Sequence, residues 1–480
     1  MPVSGCKEAS LRYRSTSNED TIVRKMDDLL RFLRIPSISA DPAYSGEVRR
    51  AAEFVRDWLE QAGLKNARLI ESDQPGEHPL VYADWLQATG RPTLLLYGHY
   101  DVQPPDPLEE WISPPFEPTI RDGNLYARGA ADDKGQLFIL MTAVARLLRE
   151  HDGRLPVNVR FLIEGEEESS GAHVEHYVKS HAAHLSADAA VICDTAMFAP
   201  GIPSITTGLR GIVYGEIHAQ GAARDLHSGD YGGAAPNPLE AIAHIIGALK
   251  SPAGKILIPG IYDRVLPPAP AEIEAWQQLP FDAETFRRTE VGSMALAGEP
   301  GFDVLMRIWA RPTLEVHGIR GGYTGEGAKT VIPAKASAKI SLRLVPDQDP
   351  AEVQTMLAAA VAAAAPAGIR AEFRPMSAAP PCLIDPSNRL VAAAAEAMTR
   401  VFGHETAYIR CGGSIPIVGL FQRNLGIPSI LAGFGLPDDQ IHGPNEKLSI
   451  YNYIAGIDSM IQYCSGLSAS WLSSKSGENH

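Results

Sequence analysis

The sequence predicts an α/β protein: a layered domain with a largely parallel central sheet, interrupted by an inserted α+β domain. Three observations carry this expectation. Continuous apolar runs at 92–97 (PTLLLY), 157–163 (VNVRFLI) and 189–193 (AAVIC) suit strands buried on both faces, with helical patterns between them. After about Gly208 the texture shifts to polar–apolar alternation, as in GIVYGEIHA at 211–219. After Asp385 the helix-then-strand pattern returns.

Taken in order, residues 20–63 form two helices. Ser17 to Asp20 offer capping groups, and Met26, Leu29, Leu30 and Leu33 recur at helical spacing. The chain breaks at Ile35-Pro36-Ser37. Ala52, Phe54, Val55, Trp58 and Leu59 then make a second apolar stripe, stopped by Gly63. Strands follow at 66–71, 80–85 and 92–97, a helix at 136–150, a strand at 157–163, a helix at 174–184 and a strand at 189–193. The inserted part holds strands at 211–219, 313–317, 336–344 and 369–373, helices at 238–249 and 351–364, and irregular Pro-rich sequence at 252–280. The last part holds a helix at 390–401, a strand at 429–432 and a helix at 450–463. At 480 residues a single core is too large to be economical, so the chain divides. The expected domains are a flexible extension at 1–19, one α/β domain from 20–208 and 383–480, and an insertion at 209–382.

Composition excludes several classes. Hydrophobic residues make up 45% and charged residues 21%, too much core and too little charge for a disordered chain. The net charge is 43 − 57 = −14, which argues against nucleic acid, whose phosphates need clustered Lys and Arg. The alanine-rich run near 357–365 is too short for a bilayer, so no membrane partner is expected. The first twenty residues lack an apolar core of a secretory signal. Five cysteines (Cys6, Cys193, Cys382, Cys411, Cys464) lack CxxC spacing and imply no disulfides, so a reducing cytoplasm is the expected location.

Chemistry-bearing residues gather where strands end, as open α/β sheets favour. His99 and Asp101 follow PTLLLY; a metal ligand with a carboxylate to orient it fits, as does a polar turn. Asp132 opens a helix, where it suits either a shared metal ligand or a cap. Glu164 to Glu168 follow VNVRFLI, and acids crowded at a buried strand end need cations or solvent. Asp194 follows the strand at 189–193, and His442 lies in the loop IHGPNE. Together His99, Asp132, Glu168, Asp194 and His442 make a set suited to two divalent ions sharing a carboxylate.

Seven segments, in order, carry a resemblance: GHYDVQP (98–104), RGAADDKGQ (128–136), EGEEESSG (164–171), DLHSGDYGG (225–233), GAKTVIP (327–333), RLVP (343–346) and HGPNE (442–446). From about residue 20 to 465 the chain resembles the two-metal peptidase and deacylase family (clan MH) of carboxypeptidase G, acetylornithine deacetylase and the cytosolic non-specific dipeptidases and carnosinases. Within it the chain looks most like the dipeptidase branch. The resemblance implies that the insertion is a lid and dimerisation domain. It implies that His99 and Asp194 hold one ion, Glu168 and His442 the other, and that Asp132 bridges. Asp101 would orient His99, and Glu167 would be the general base. The run of three glutamates leaves a one-position ambiguity; the spacing to Gly171 and the family's acid-Glu-Glu order favour Glu167 as base and Glu168 as ligand. His227 would polarise the scissile carbonyl from the partner subunit of a homodimer. Arg343 would bind the substrate's C-terminal carboxylate, with Thr330, Gly413 and Ser414 lining the same pocket. The implied cofactors are two divalent ions, zinc or else manganese or cobalt.

The implied activity is hydrolysis of short peptides with a free carboxyl end. The alternative on the same fold is an N-acyl amino acid deacylase; a non-catalytic binding protein is disfavoured because every ligand position is filled. One departure is Cys411, which stands where related dipeptidases often carry an acid and puts recognition of a free substrate amine in doubt.

Overall fold

The computed structural model describes residues 19–477. Cys6, Ser17 and nearly all of the N-terminal extension lie outside them. Two compact units divide the chain: residues up to Thr206 with Ile384–Ile409 and Leu420 onward, and Thr207–Leu383 with Arg410–Gly419.

The first unit is an α/β layer. Seven of the nine strands of its main sheet are β1 (Lys65–Ile70), β2 (Leu80–Trp85), β3 (Thr93–His99), β4 (Asn158–Glu164), β5 (Ala189–Ile192), β6 (Ser204–Leu209) and β7 (Ser429–Leu431); Cys382–Leu383 and Ala407–Cys411 pair with β6. The seven lie in the order β1-β2-β4-β3-β5-β7-β6. The middle four, β4-β3-β5-β7, are parallel, whereas β1, β2 and β6 pair antiparallel. Sequence pattern identifies the parallel centre; the antiparallel outer strands make the sheet mixed. The apolar runs occupy the middle because helices cover both faces there, and six of the seven β3 residues are buried.

The helices are α1 (Glu19–Leu33), α2 (Ser45–Gln61), α3 (Lys134–Glu150), α4 (Ala172–Ser180), α5 (Arg389–Phe402) and α6 (Ile450–Gly477). α3 packs on β3 and against α1 and α6, so it is buried on nearly all sides. Rings knit α1, α2 and α3 together: Phe32 stacks on Phe54 at 5.1 Å, and Trp58 meets Phe138 at 5.0 Å. α4 ends at Ser180 rather than at 184, and Ser180 Oγ turns back to donate to His176 O at 2.7 Å.

The second unit is built on a four-stranded antiparallel sheet. Its order is Thr313–Gly321, Lys335–Leu344, Gly211–Gln220, Arg370–Ala379. The Gly211–Gln220 strand alternates buried and half-buried along its length. Val213 and Ile217 face a core shared with helices Pro238–Leu249 and Pro350–Ala363. Each helix starts on a capping side chain: Asn237 accepts from Leu239 N, and Asp349 from Ala351 N and Glu352 N. The segment expected to be irregular at 252–280 contains a helix, Pro270–Gln277, begun by a proline at its first position.

Candidate metal centre and arginine seat

The parallel arrangement of β3, β4 and β5 sends their C-terminal ends to one edge of the sheet, and the first unit's candidate residues sit there. His99 is the last residue of β3 and is fully buried. Glu167 and Glu168 follow β4, and Asp194 follows β5. Asp132 lies two residues before α3, and its peptide bond to Asp133 is cis.

Asp132 faces two histidines at once. Its Oδ1 lies 3.1 Å from His99 Nε2, and its Oδ2 lies 3.0 Å from His442 Nε2. His442 Nε2 also lies 3.3 Å from Glu168 Oε2. Ligand atoms of His99, Asp132 and Asp194 lie within 4.8 Å of one another, and so do those of Asp132, Glu168 and His442. These are two imidazole–carboxylate triads sharing one carboxylate. Atoms that share an ion at about 2.1 Å stand about 3 Å apart, so the spacing fits divalent cations. Behind His99, Asp101 Oδ1 lies 3.2 Å from Nδ1. The other Asp101 oxygen accepts from Ser39 Oγ at 2.6 Å and from Glu168 N at 3.1 Å, which ties the imidazole to the β4 loop.

The three glutamates after β4 have separate surroundings. Glu166 is buried and turned away, accepting from His78 N at 2.6 Å and His173 N at 3.3 Å. Glu168 accepts from Gln103 Nε2 at 2.8 Å and joins the second triad. Glu167 stands between them. Burial, with the charges of Glu168 and Asp132, pushes its carboxyl up to about 7, although His99 opposes the shift. Asp133 occupies the position before α3 without capping it, because its Oδ2 accepts from His99 N at 3.1 Å. Gly98 makes that approach possible: a Cβ there would fall 2.6 Å from Asp133 Oδ2.

The electrostatics show a shortage of positive charge. Burial and like charges push Asp133 to about 8 and Asp194 well above the carboxylate range. His442 is driven up to about 10 by Asp132 and then Glu168. His99 also rises, because its bonds to Asp101 and Asp132 outweigh the effect of burial. Two divalent cations would supply what this carboxylate-rich set lacks, and the residues therefore fit the expected ions.

The remaining candidates belong to the second unit. His227 pairs with Val331 in a two-stranded ladder and its side chain is 60% exposed. Its Nδ1 accepts from Gly229 N at 3.0 Å, which leaves Nε2 to carry the proton; Thr330 Oγ1 is 3.4 Å from Nε2. Arg343 Nη1 donates to Ser414 Oγ at 3.0 Å. Gly413 N donates to Cys411 Sγ at 3.3 Å.

A model of peptidase family M20/M25/M40 matches residues 95–465. The chain belongs to that family. This M20 hydrolase is 31% identical over 459 residues to the Cys-Gly metallodipeptidase DUG1 of Saccharomyces cerevisiae, spanning 91% of this chain and 93% of that one. It is 32% identical over 432 residues to the human Beta-Ala-His dipeptidase, spanning 88% and 85%. A solved structure of the dipeptidase Dug1p from S. cerevisiae matches with a TM-score of 0.81 at 30% identity, covering 94% of this chain and 98% of that one.

Sequence reasoning missed the residues that hold the M20 centre together. Glu446, fully buried, accepts from Arg128 Nη1 at 2.7 Å, Gly129 N at 3.0 Å, Ala131 N at 2.8 Å and Asp132 N at 3.0 Å. It thus latches the loop that presents Asp132. Its signal was its place at the end of HGPNE, four residues after His442. Lys134, also buried, donates to Ile35 O at 2.6 Å and Phe32 O at 3.3 Å, closing the end of α1 onto the start of α3. Arg210 was missed as well.

Proposed function

We propose that this M20 hydrolase is a metal-dependent dipeptidase that cleaves short peptides carrying a free C-terminal carboxylate. The observation that carries the reading is Asp132, whose two oxygens each face a different histidine within its own triad. The named activities of the yeast and human relatives support it.

In this reading His99 and Asp194 would hold one divalent ion, Glu168 and His442 the other, and Asp132 would be shared between them. When bound, the pair supplies Lewis acidity, lowering the pKa of water and polarising a carbonyl oxygen. Zinc, manganese and cobalt all suit this mixed N/O set. Asp101 keeps the His99 ring in place. Glu167 accepts the proton of the attacking water and returns it to the departing amine. His227 acts across a homodimer, donating from Nε2 to the oxygen of the scissile carbonyl. Arg343 receives the C-terminal carboxylate in a forked pair of hydrogen bonds, and Thr330, Gly413 and Ser414 complete that pocket.

The inserted unit, 209–382 by the sequence boundaries, serves as lid and dimer contact. Support for the dimer is the end strand of its sheet, Thr313–Gly321, which exposes Ile319 at 56% and offers an outer edge for pairing. Support for a cytoplasmic setting is that, among the described residues, Cys193, Cys411 and Cys464 are free thiols. Among the described residues no helix is long and apolar enough to cross a membrane.

The test is a hydrolysis panel on metal-reconstituted protein: free dipeptides, the same dipeptides as C-terminal amides, β-alanyl dipeptides and N-acyl amino acids, with and without chelator. Chelator-sensitive cleavage of free dipeptides with the amides spared is the expected result. Cleavage of N-acyl amino acids alone would move the protein to the deacylase branch.

A further inference from the structure

Arg210, one residue before the Gly211–Gln220 strand, grips three consecutive residues of the loop that follows Cys411. Its Nε donates to Gly412 O at 2.9 Å, its N donates to Gly413 O at 3.1 Å, and its own carbonyl accepts from Ser414 Oγ at 2.5 Å. Ser414 Oγ is also the acceptor for Arg343 Nη1. A continuous chain of bonds therefore runs from Arg210 through Ser414 to Arg343, inside the second unit.

This pairing is unusual in its charge. Burial and the neighbouring Arg343 hold Arg210 down at about 10, and burial lowers Arg343 as well. No carboxylate hydrogen-bonds either guanidinium among the described residues, and Arg210 Nη1 is buried without a partner. Three other enclosed arginines are matched by a carboxylate: Arg128 with Glu446, Arg311 with Glu299 and Arg410 with Glu272, each at 2.7 Å, whereas Arg160 and Arg307 donate to backbone carbonyls. Glu315 acts on Arg210 only through its charge, so two adjacent arginines with no hydrogen-bonded carboxylate leave room for an anion from outside. Gly412 belongs to the arrangement, because a Cβ there would lie 2.7 Å from Arg210 Nη2 and 3.1 Å from Ile308 O.

We propose that Arg210 is a positioning residue for the substrate's C-terminal carboxylate: it fixes Ser414 and the Arg343 fork and adds a second positive charge to their seat. The proposal rests on the carboxylate-seat reading of Arg343. A lysine could supply the charge but not the planar Nε–H that reaches Gly412 O.

The test is steady-state kinetics on a free dipeptide and its C-terminal amide, for the wild type and for Arg210→Met, Arg210→Lys, Gly412→Ala and Ser414→Ala, with melting temperatures measured in parallel. Arg210→Met is expected to raise KM for the free dipeptide about tenfold or more with kcat within about twofold. The amide is expected to lose little, so the preference for the free carboxylate collapses. Arg210→Lys should restore part of that preference, and Gly412→Ala and Ser414→Ala should weaken it. If Arg210→Met slows both substrates equally, or lowers the melting temperature with preference intact, Arg210 only braces the loop and the proposal falls. If Arg210→Met does not fold, Ser414→Ala decides, and an undiminished preference in that folded variant overturns the proposal. A wild type indifferent to amidation would sink the carboxylate seat itself, whatever the variants do.

Discussion

The two units hold opposite electrostatic debts. In the first, Asp101, Asp132, Asp133, Glu167, Glu168 and Asp194 crowd around His99 and His442, and the carboxyls of Asp133, Glu167 and Asp194 are driven upward. In the second, Arg210 and Arg343 sit together without a carboxylate, and both guanidiniums are driven downward. The scaffolds differ too. Parallel strands bring several chain ends to one edge, so distant segments each contribute one candidate ligand. The antiparallel sheet instead offers a strand start, Arg210, a strand end, Arg343, and a returning loop. Where a fold gathers like charges at a cost to its own stability, the missing partner is a property of the ligand: cations in one unit, an anion in the other.

The sharpest way to break this contrast is at the acids. Glu167→Gln should cut kcat by about 10²–10⁴ while metal content, measured by elemental analysis, stays at the wild-type level. Glu166→Gln should instead leave most turnover and lower the melting temperature, since that carboxylate serves backbone N–H groups. Equal turnover losses in both would undo the division of labour among the three glutamates. Next in size, Glu446→Ala leaves Arg128 buried and unpaired, which costs about 3–5 kcal/mol in denaturant unfolding. A near-silent result would mean that the loop before α3 holds its shape unaided. The smallest effect is expected at the basic seat. Arg343→Lys keeps the charge and loses the fork, so KM for free dipeptides should rise about tenfold with kcat little changed. A fall in kcat alone would place Arg343 at the reacting bond.

The buried parallel strands were legible because burial on both faces leaves an unbroken apolar run, as in β3, β4 and β5. Strands with bulges were read too short. The strand expected at 369–373 runs from Arg370 to Ala379, because the ladder shifts register between Pro375 and Ser377, beside the residue that lacks an N–H. The strand at Thr313–Gly321 outruns its expected end at 317 in the same way, shifting between Val316 and Gly318. The strand Ala407–Cys411 and the helix Pro416–Leu425 were missed. In the site, the residues proposed to touch metal or substrate stood out because strand ends and motif spacing mark them. Glu446, Lys134 and Arg210 did not. Their partners are mostly backbone groups far away in sequence, and no spacing rule records such bonds.

The Glu446 latch has a consequence for how the protein is made. It joins Asp132 N to a side chain 314 residues later in the chain. A ribosome therefore delivers Asp132 and the acids after β4 long before it delivers either His442 or the group that fixes their loop. Throughout most of synthesis the nascent chain carries an acid-rich, unlatched segment with half of its imidazole complement. Closure of the site is thus among the last events in the molecule's assembly, and truncation between Asp194 and Glu446 would yield a chain that has most of the candidate ligands and lacks the latch on their loop.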